Sequence, residues 1–282
     1  MGTPAPRLAP GSRRTRWRLK VRAEIVGQEA HAETVRVDKR WIMAYNAALG
    51  EVSTTPHPLF PVCYEWDATR ALRESTGLQA LNAQLVHAQH DLVIHRAPKS
   101  DETLTTTARV VSADQRKPGV FVTIRLAARG ADGEPVSTSD YGMLYRGVAL
   151  EGGGREIEDV EDPPKHSQNL GRIGDVSVAA TTAHVYTECA RIWNPIHTDP
   201  EYALAAGLPG IILHGTATLA LSISRVISFF EKSHVRRVRC RFAGMVLMPN
   251  TLSVHASTAG TSIAFETRNE KDEAVIERGW IS

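Results

Sequence analysis

The chain has 282 residues, 42% hydrophobic and 23% charged, with 33 Lys and Arg against 31 Asp and Glu for a formal charge of +2. That length holds one large or two modest globular domains, and so balanced a charge gives no footprint for nucleic acid or a membrane surface. Cys63, Cys189 and Cys240 are odd in number and far apart, pointing to neither a disulfide framework nor a metal clip and suiting a reduced cytoplasm.

Residues 1–17 combine Pro, Gly and Arg with little to bury and read as a disordered basic leader; no aromatic stacking pattern accompanies the charge, so it reads as a solvated tail. No run is long and apolar enough to span a bilayer, and the first residues lack the apolar core of a signal peptide. Asp38 caps a predicted helix carrying Trp41, Ile42, Tyr45 and Ala48, which Gly50 ends. After a proline-rich crossing, a second helix is predicted over 66–74. Strand patterns follow at 86–95, 103–112, 120–128 and 135–145, separated by turn signals such as Lys117-Pro118-Gly119 and Ala131-Asp132-Gly133. His87 and His90, three apart in a predicted strand, fall on opposite faces and form no metal pair.

Residues 149–170, rich in Gly, Glu, Asp and Pro, read as a linker; Gly152-Gly153-Gly154 lacks the strand-to-helix setting of a phosphate loop. Beyond it the order repeats. Asp199 caps a short helix with Pro200 at its first position and Gly207 at its end. A second helix starts at Gly215: Leu219, Ile223, Val226, Ile227 and Phe230 make one face, and Ala217, Ala220 and Leu221 leave the others nearly as apolar. Strands are predicted at 235–242, 251–256, 261–267 and 274–280. Asp101–Thr105 resembles Pro249–Ser253, and Asp132–Val136 resembles Lys271–Val275, which indicates a duplication into halves 18–148 and 171–282. The class is α+β, each half one antiparallel sheet wrapped round one helix.

Chemistry concentrates in Trp193–Pro200 and Leu213-His214-Gly215. The first N–H groups of the helix at Gly215 lack acceptors within it and carry the positive end of its dipole, which suits a carbonyl oxygen becoming an oxyanion. His197 titrates near neutral pH and suits a general base. Asn194 reads as the residue that fixes the turn, Asp199 as a cap rather than an acid. His214 reads as packing beside the helix start, with substrate contact open to it. Arg236, Arg237, Arg239 and Arg241 read as a solvated or salt-bridged basic strand, from which a coenzyme A phosphate could also draw one or two partners.

Trp193-Asn194-Pro195-Ile196-His197-Thr198-Asp199-Pro200, followed by Gly207-Leu208 and Ile211–Gly215, resembles the signature of the MaoC-like, (R)-specific enoyl-CoA hydratases. There a Tyr and a Ser-Gly lead into Asp-x-Asn-Pro-x-His-x-Asp-Pro, a helix and Pro-Ile-x-His-Gly. The first half resembles the motif-lacking N-terminal repeat of the double hot-dog hydratases through Val86–Leu92 and Tyr145-Arg146-Gly147. The resemblance implies two hot-dog repeats, catalysis by His197 and the Gly215 N–H, and a substrate pocket touched by Asn194, His214 and Ile192. One position departs: Ile192 stands where the family has its catalytic Asp, and Ala190-Arg191 replaces the Ser-Gly. Glu188 and Cys189 are the nearest residues that could replace that carboxylate, although they lie three or four positions too early in the motif.

The implied activity is a hydro-lyase reaction on an acyl or enoyl thioester in specialised metabolism, with no cofactor beyond the coenzyme A or carrier that is part of the substrate. No nucleic acid or membrane partner is expected, and a homodimer is compatible with the reading. Two alternatives stay open: isomerisation or another elimination by His197 alone, and a non-catalytic acyl-binding or partner subunit.

Overall fold

The computed structural model describes residues 19–165 and 169–282, so the expected leader lies outside the described residues. The first half runs β1 (Leu19–Arg22), β2 (Glu33–Val37), α1 (Lys39–Ala48), α2 (Pro61–Ser75), β3 (Leu85–Ile94), β4 (Glu102–Arg116), β5 (Gly119–Gly130) and β6 (Pro135–Arg146). Short strands β7 (Val148–Glu151) and β8 (Arg155–Glu156) follow. The second half runs β9 (Gly171–Val178), α3 (Thr182–Ala190), α4 (Pro200–Ala205), α5 (Gly215–Phe230), β10 (Arg237–Phe242), β11 (Asn250–Ala259), β12 (Ser262–Arg268) and β13 (Ala274–Ile281).

The main sheet has the order β2-β4-β5-β6-β3-β10-β13-β12-β11-β9. Read outward from its centre, the two halves match strand for strand: β3 with β10, β6 with β13, β5 with β12, β4 with β11, β2 with β9. The antiparallel β3–β10 pair, in which Cys240 faces His90 and Val238 faces Leu92, joins them into one surface. The repeated sequences fall at equivalent points, just before or at the start of β4 and β11, and before β6 and β13. This is the expected pair of hot-dog repeats.

The reason for the architecture is burial. Ala217, Leu219, Ala220, Ile223 and Val226 of α5 are fully buried, as a helix apolar on most faces requires. They belong to a cluster that also holds Trp41, Tyr45, Leu59 and Phe60 of the first half, so the repeats share one core. A second cluster, with Ala68 and Leu72 of α2 against Val110, Val122 and Ile124, belongs to the first repeat alone. Each fully buried large aliphatic side chain contributes about 1.5–3 kcal/mol.

Several features depart from the sequence reading. Helix α2 begins at Pro61, five residues before the predicted start, because proline suits the first helical position where its missing N–H costs nothing. His87 and His90 lie on the same side of β3, their rings 5.6 Å apart, not on opposite faces. A β-bulge between His87 and Gln89 inserts one residue and reverses the alternation.

The stretch expected as a linker is tied to the sheet. β8 pairs with β4 of the main sheet, while β7 pairs with β1 in a separate two-stranded sheet. Glu158 bridges Arg109 (3.0 Å) and Arg125 (2.5 Å). The Glu161 carbonyl accepts from Gln89 and Arg239, that of Pro163 from Arg278, and that of Pro164 from the Trp280 indole. Its polar composition hides this because the anchors are backbone carbonyls and carboxylates meeting arginines distant in sequence. No helix among the described residues is long and apolar enough to cross a membrane.

Candidate active site

The turn that carries His197 is built by local capping. The Asn194 side chain accepts from the Ile196 N–H (3.4 Å) and starts a single 3-10 turn, Pro195–His197. Asp199 then caps α4 by accepting from the N–H groups of Glu201 (2.9 Å) and Tyr202 (3.0 Å), which commits its carboxylate to structure. Between these caps His197 turns inward, with 9% of its surface exposed.

Its Nδ1 lies 2.8 Å from the Ile212 carbonyl. A carbonyl only accepts, so Nδ1 carries the proton and Nε2 is left with its lone pair, the form a general base needs. Burial lowers the His197 pKa from 6.5 to about 4, against the Ile212 bond that raises it. The imidazole is therefore neutral across the physiological range.

His214 lies against it, ring centroids 3.6 Å apart and planes at 24°. Burial first and the neighbouring His197 second push the His214 pKa well below the ordinary value. Its Nε2 is 3.3 Å from Thr187 Oγ1 of α3. His214 is the residue before α5, and its side chain makes no capping bond to that helix. The N–H groups that open α5 at Gly215 thus stay free of a side-chain cap and are available to a substrate oxygen.

Hydroxyl groups from three helices fasten this end of α5. Tyr186 of α3 donates to Thr216 Oγ1 (3.1 Å), and Tyr45 of α1 meets the Tyr186 hydroxyl at 3.4 Å. A Cβ placed on Gly215 would sit 3.2 Å from the Phe242 ring. The first repeat has no such opening: α2 starts with Pro61, which has no N–H to offer.

Ile192 is 5% exposed and part of the shared core, with its N–H bonded to the Thr187 carbonyl (3.1 Å). It follows Arg191, which closes α3 in the left-handed conformation (φ 58°) that glycine adopts most freely. That backbone costs a non-glycine residue about 1–2 kcal/mol. The Arg191 guanidinium lies 4.2 Å over the Trp41 ring and 3.7 Å from Asp38, contacts that offset part of the cost.

Of the four arginines singled out in the sequence, three lie on β10 and Arg236 just precedes it. Arg237 and Arg239 are held by Asp91 at 2.8 and 3.0 Å and by Glu161 at 3.5 and 3.3 Å, while Arg236 and Arg241 are exposed. Among the described residues, no group of three or more His, Cys, Asp or Glu is placed to hold a metal ion. Tyr186, Thr187 and Thr216 were absent from the sequence reading, and Tyr45 entered it only as a residue of the first helix, with no place at the site. Tyr186 and Thr187 come from α3, which has no strong apolar period to announce it.

Residues 163–278 match the profile described as "MaoC like domain", and residues 55–139 that of "FAS1-like, dehydratase domain region". Peroxisomal multifunctional enzyme type 2 of Mus musculus is 34% identical over 219 residues, 74% of this chain and 29% of that protein. Enoyl-CoA hydratase ChsH3 of Mycobacterium tuberculosis is 26% identical over 208 residues, 72% of this chain and 71% of that one. The chain spans about a third of the length of the multifunctional enzymes it matches, 33% for Drosophila melanogaster and 29% for Mus musculus. The crystal structure of a MaoC-like dehydratase from Phytophthora Capsici superposes with a TM-score of 0.78 at 18% identity, covering 90% of this chain and 95% of that one.

Proposed function

We propose, for a chain that belongs to the MaoC-like hydratase/dehydratase family with a double hot-dog fold, that it is a hydro-lyase that adds water to, or removes it from, an acyl thioester. The observation that carries this reading is His197. It is buried and neutral, its tautomer is fixed by Ile212, and it is stacked on the residue that opens α5.

In the hydration direction the thioester carbonyl accepts from the Gly215 N–H, where the positive end of α5 favours charge on its oxygen. His197 Nε2 removes a proton from water as the water oxygen bonds to Cβ. The electron pair of the double bond moves toward the carbonyl and gives an enolate. The imidazolium then returns its proton to Cα, so one molecule of water is added and the base is restored. Dehydration is the reverse.

Ile192 bears on the rate. It occupies the motif position of the family's catalytic Asp, and an apolar side chain neither orients water nor exchanges a proton. The proton therefore shuttles through His197 alone, and the enzyme is a slow hydratase of simple enoyl thioesters. Coenzyme A or a carrier protein supplies the thioester as part of the substrate, with no further cofactor. Ile192 is what opens isomerisation and the non-catalytic reading, and the hydratase and dehydratase relatives favour neither.

The test is incubation with crotonyl-CoA followed by mass spectrometry. Gain of one water by a time-dependent, enzyme-dependent process supports the reading. Unchanged crotonyl-CoA at high enzyme concentration, with the protein folded, overturns it.

A further inference from the structure

The first repeat holds a buried polar cluster that the reaction above does not use. Glu65 of α2 is fully buried and accepts three hydrogen bonds, from Ser137 (3.2 Å), Ser139 (2.7 Å) and Tyr141 (2.7 Å). Burial raises its pKa to about 7 against those bonds. Two imidazoles lie over Tyr141: His87 stacks on it at 4.8 Å between centroids, and His90 lies 4.9 Å from it. Burial lowers both histidines to about 3, so both are neutral.

Both ring nitrogens of fully buried His90, and Nε2 of His87, have no hydrogen-bond partner among the described residues. Leaving a buried polar atom unpaired is costly, so three in one place point to a polar ligand group as their partner. The cluster also adjoins the active site. The His87 ring is 4.9 Å from Phe242, the ring that sits against Gly215.

We propose that the acyl chain of the substrate runs from Gly215 past Phe242 into the first repeat, where His87 and His90 bind an uncharged oxygen group on that chain, a hydroxyl or a carbonyl. The proposal rests on the hydro-lyase reading of the site. Neutral imidazoles each offer a donor and an acceptor, which matches a hydroxyl on both counts and a carbonyl on one. A plain alkyl chain leaves the nitrogens unpaired. A carboxylate meets no cation among these side chains and lies close to Glu65, held behind Tyr141.

The experiment compares enoyl-CoA thioesters of matched length whose chain ends in methyl, hydroxyl or carboxylate, over a ladder of chain lengths. At the length that reaches the cluster, kcat/KM for the hydroxyl form should exceed that for the methyl form by on the order of tenfold or more, with no gain for the carboxylate. His90→Phe should erase that ratio, and His90→Gln, which keeps a polar group, should retain part of it. Melting curves establish that each variant is folded; if neither folds, the wild-type ratio decides. Preference for methyl or carboxylate at every length, or an unchanged ratio in folded His90→Phe, overturns the proposal. If no enoyl-CoA reacts, the hydro-lyase reading has failed by itself. Calorimetry with saturated acyl-CoA and its hydroxyl-ended counterpart then decides: tighter binding of the latter supports the polar pocket, and equal or no binding of both refutes it.

Discussion

His197 and His214 lie ring on ring, 3.6 Å between centroids, at the start of α5. Burial keeps His197 in the unprotonated state that a base requires, and the stack adds to burial in holding His214 neutral. The stack also ties His197 to the residue that precedes the Gly215 N–H, the proposed oxyanion donor.

The buried histidines set a pH dependence of stability. His57 and His90 are lowered to about 3 and His197 to about 4, while the unfolded chain titrates them near 6.5. Between these values the unfolded state binds more protons, so stability is full above about pH 6.5 and is lost as pH falls toward 4. Glu65 acts in the opposite sense: raised from 4.5 to about 7, its contribution is present at low pH and lost as pH rises through that window. With His87, also lowered to about 3, and His214, lowered well below its ordinary value, five histidines outweigh one carboxyl, so urea midpoints should rise from pH 4.5 to 6.5. A falling midpoint over that range would show that the histidines are charged in the folded protein.

Ile192→Asp places a carboxylate where the motif resemblance expects the family's Asp. The expected result is faster hydration of crotonyl-CoA, on the order of a hundredfold, from a second proton-exchanging group. Because Ile192 is 5% exposed, the new carboxyl should also lower the melting temperature, and rates must be compared per folded molecule. No gain in a folded variant would mean that position 192 does not face the reacting atoms.

How much of this was legible in the sequence depends on whether the cause was local. Helix α5 and the Asp199 cap follow from spacing and capping chemistry within a few residues, and both stand where the pattern put them. Helix α3 did not announce itself: its buried residues, Ala183, Tyr186, Thr187 and Ala190, include one large side chain, and Tyr186 is buried by packing against Tyr45 of α1. The facing of His87 and His90 was misread because one bulge residue breaks a period of two. At the site, His197 and Gly215 were visible as a spaced motif. Thr187 and Tyr186 reach it from elsewhere in the chain, and only the fold brings them there.

Gly215→Pro tests the oxyanion donor by copying the start of α2. Proline is tolerated at the first helical position, so the helix should persist, with Phe242 shifting to admit the ring. Loss of the N–H should lower kcat by about a hundredfold to a thousandfold. Circular dichroism with crotonyl-CoA kinetics reads both effects. Unchanged kcat in the folded variant would place the carbonyl oxygen elsewhere.

The most direct measurement is the rate of crotonyl-CoA hydration by the folded wild-type protein and by folded His197→Ala. If His197 alone carries the proton, wild type gives a slow but enzyme-dependent rate, and the variant loses it by at least about a hundredfold. A folded His197→Ala protein that hydrates crotonyl-CoA at the wild-type rate would contradict the account.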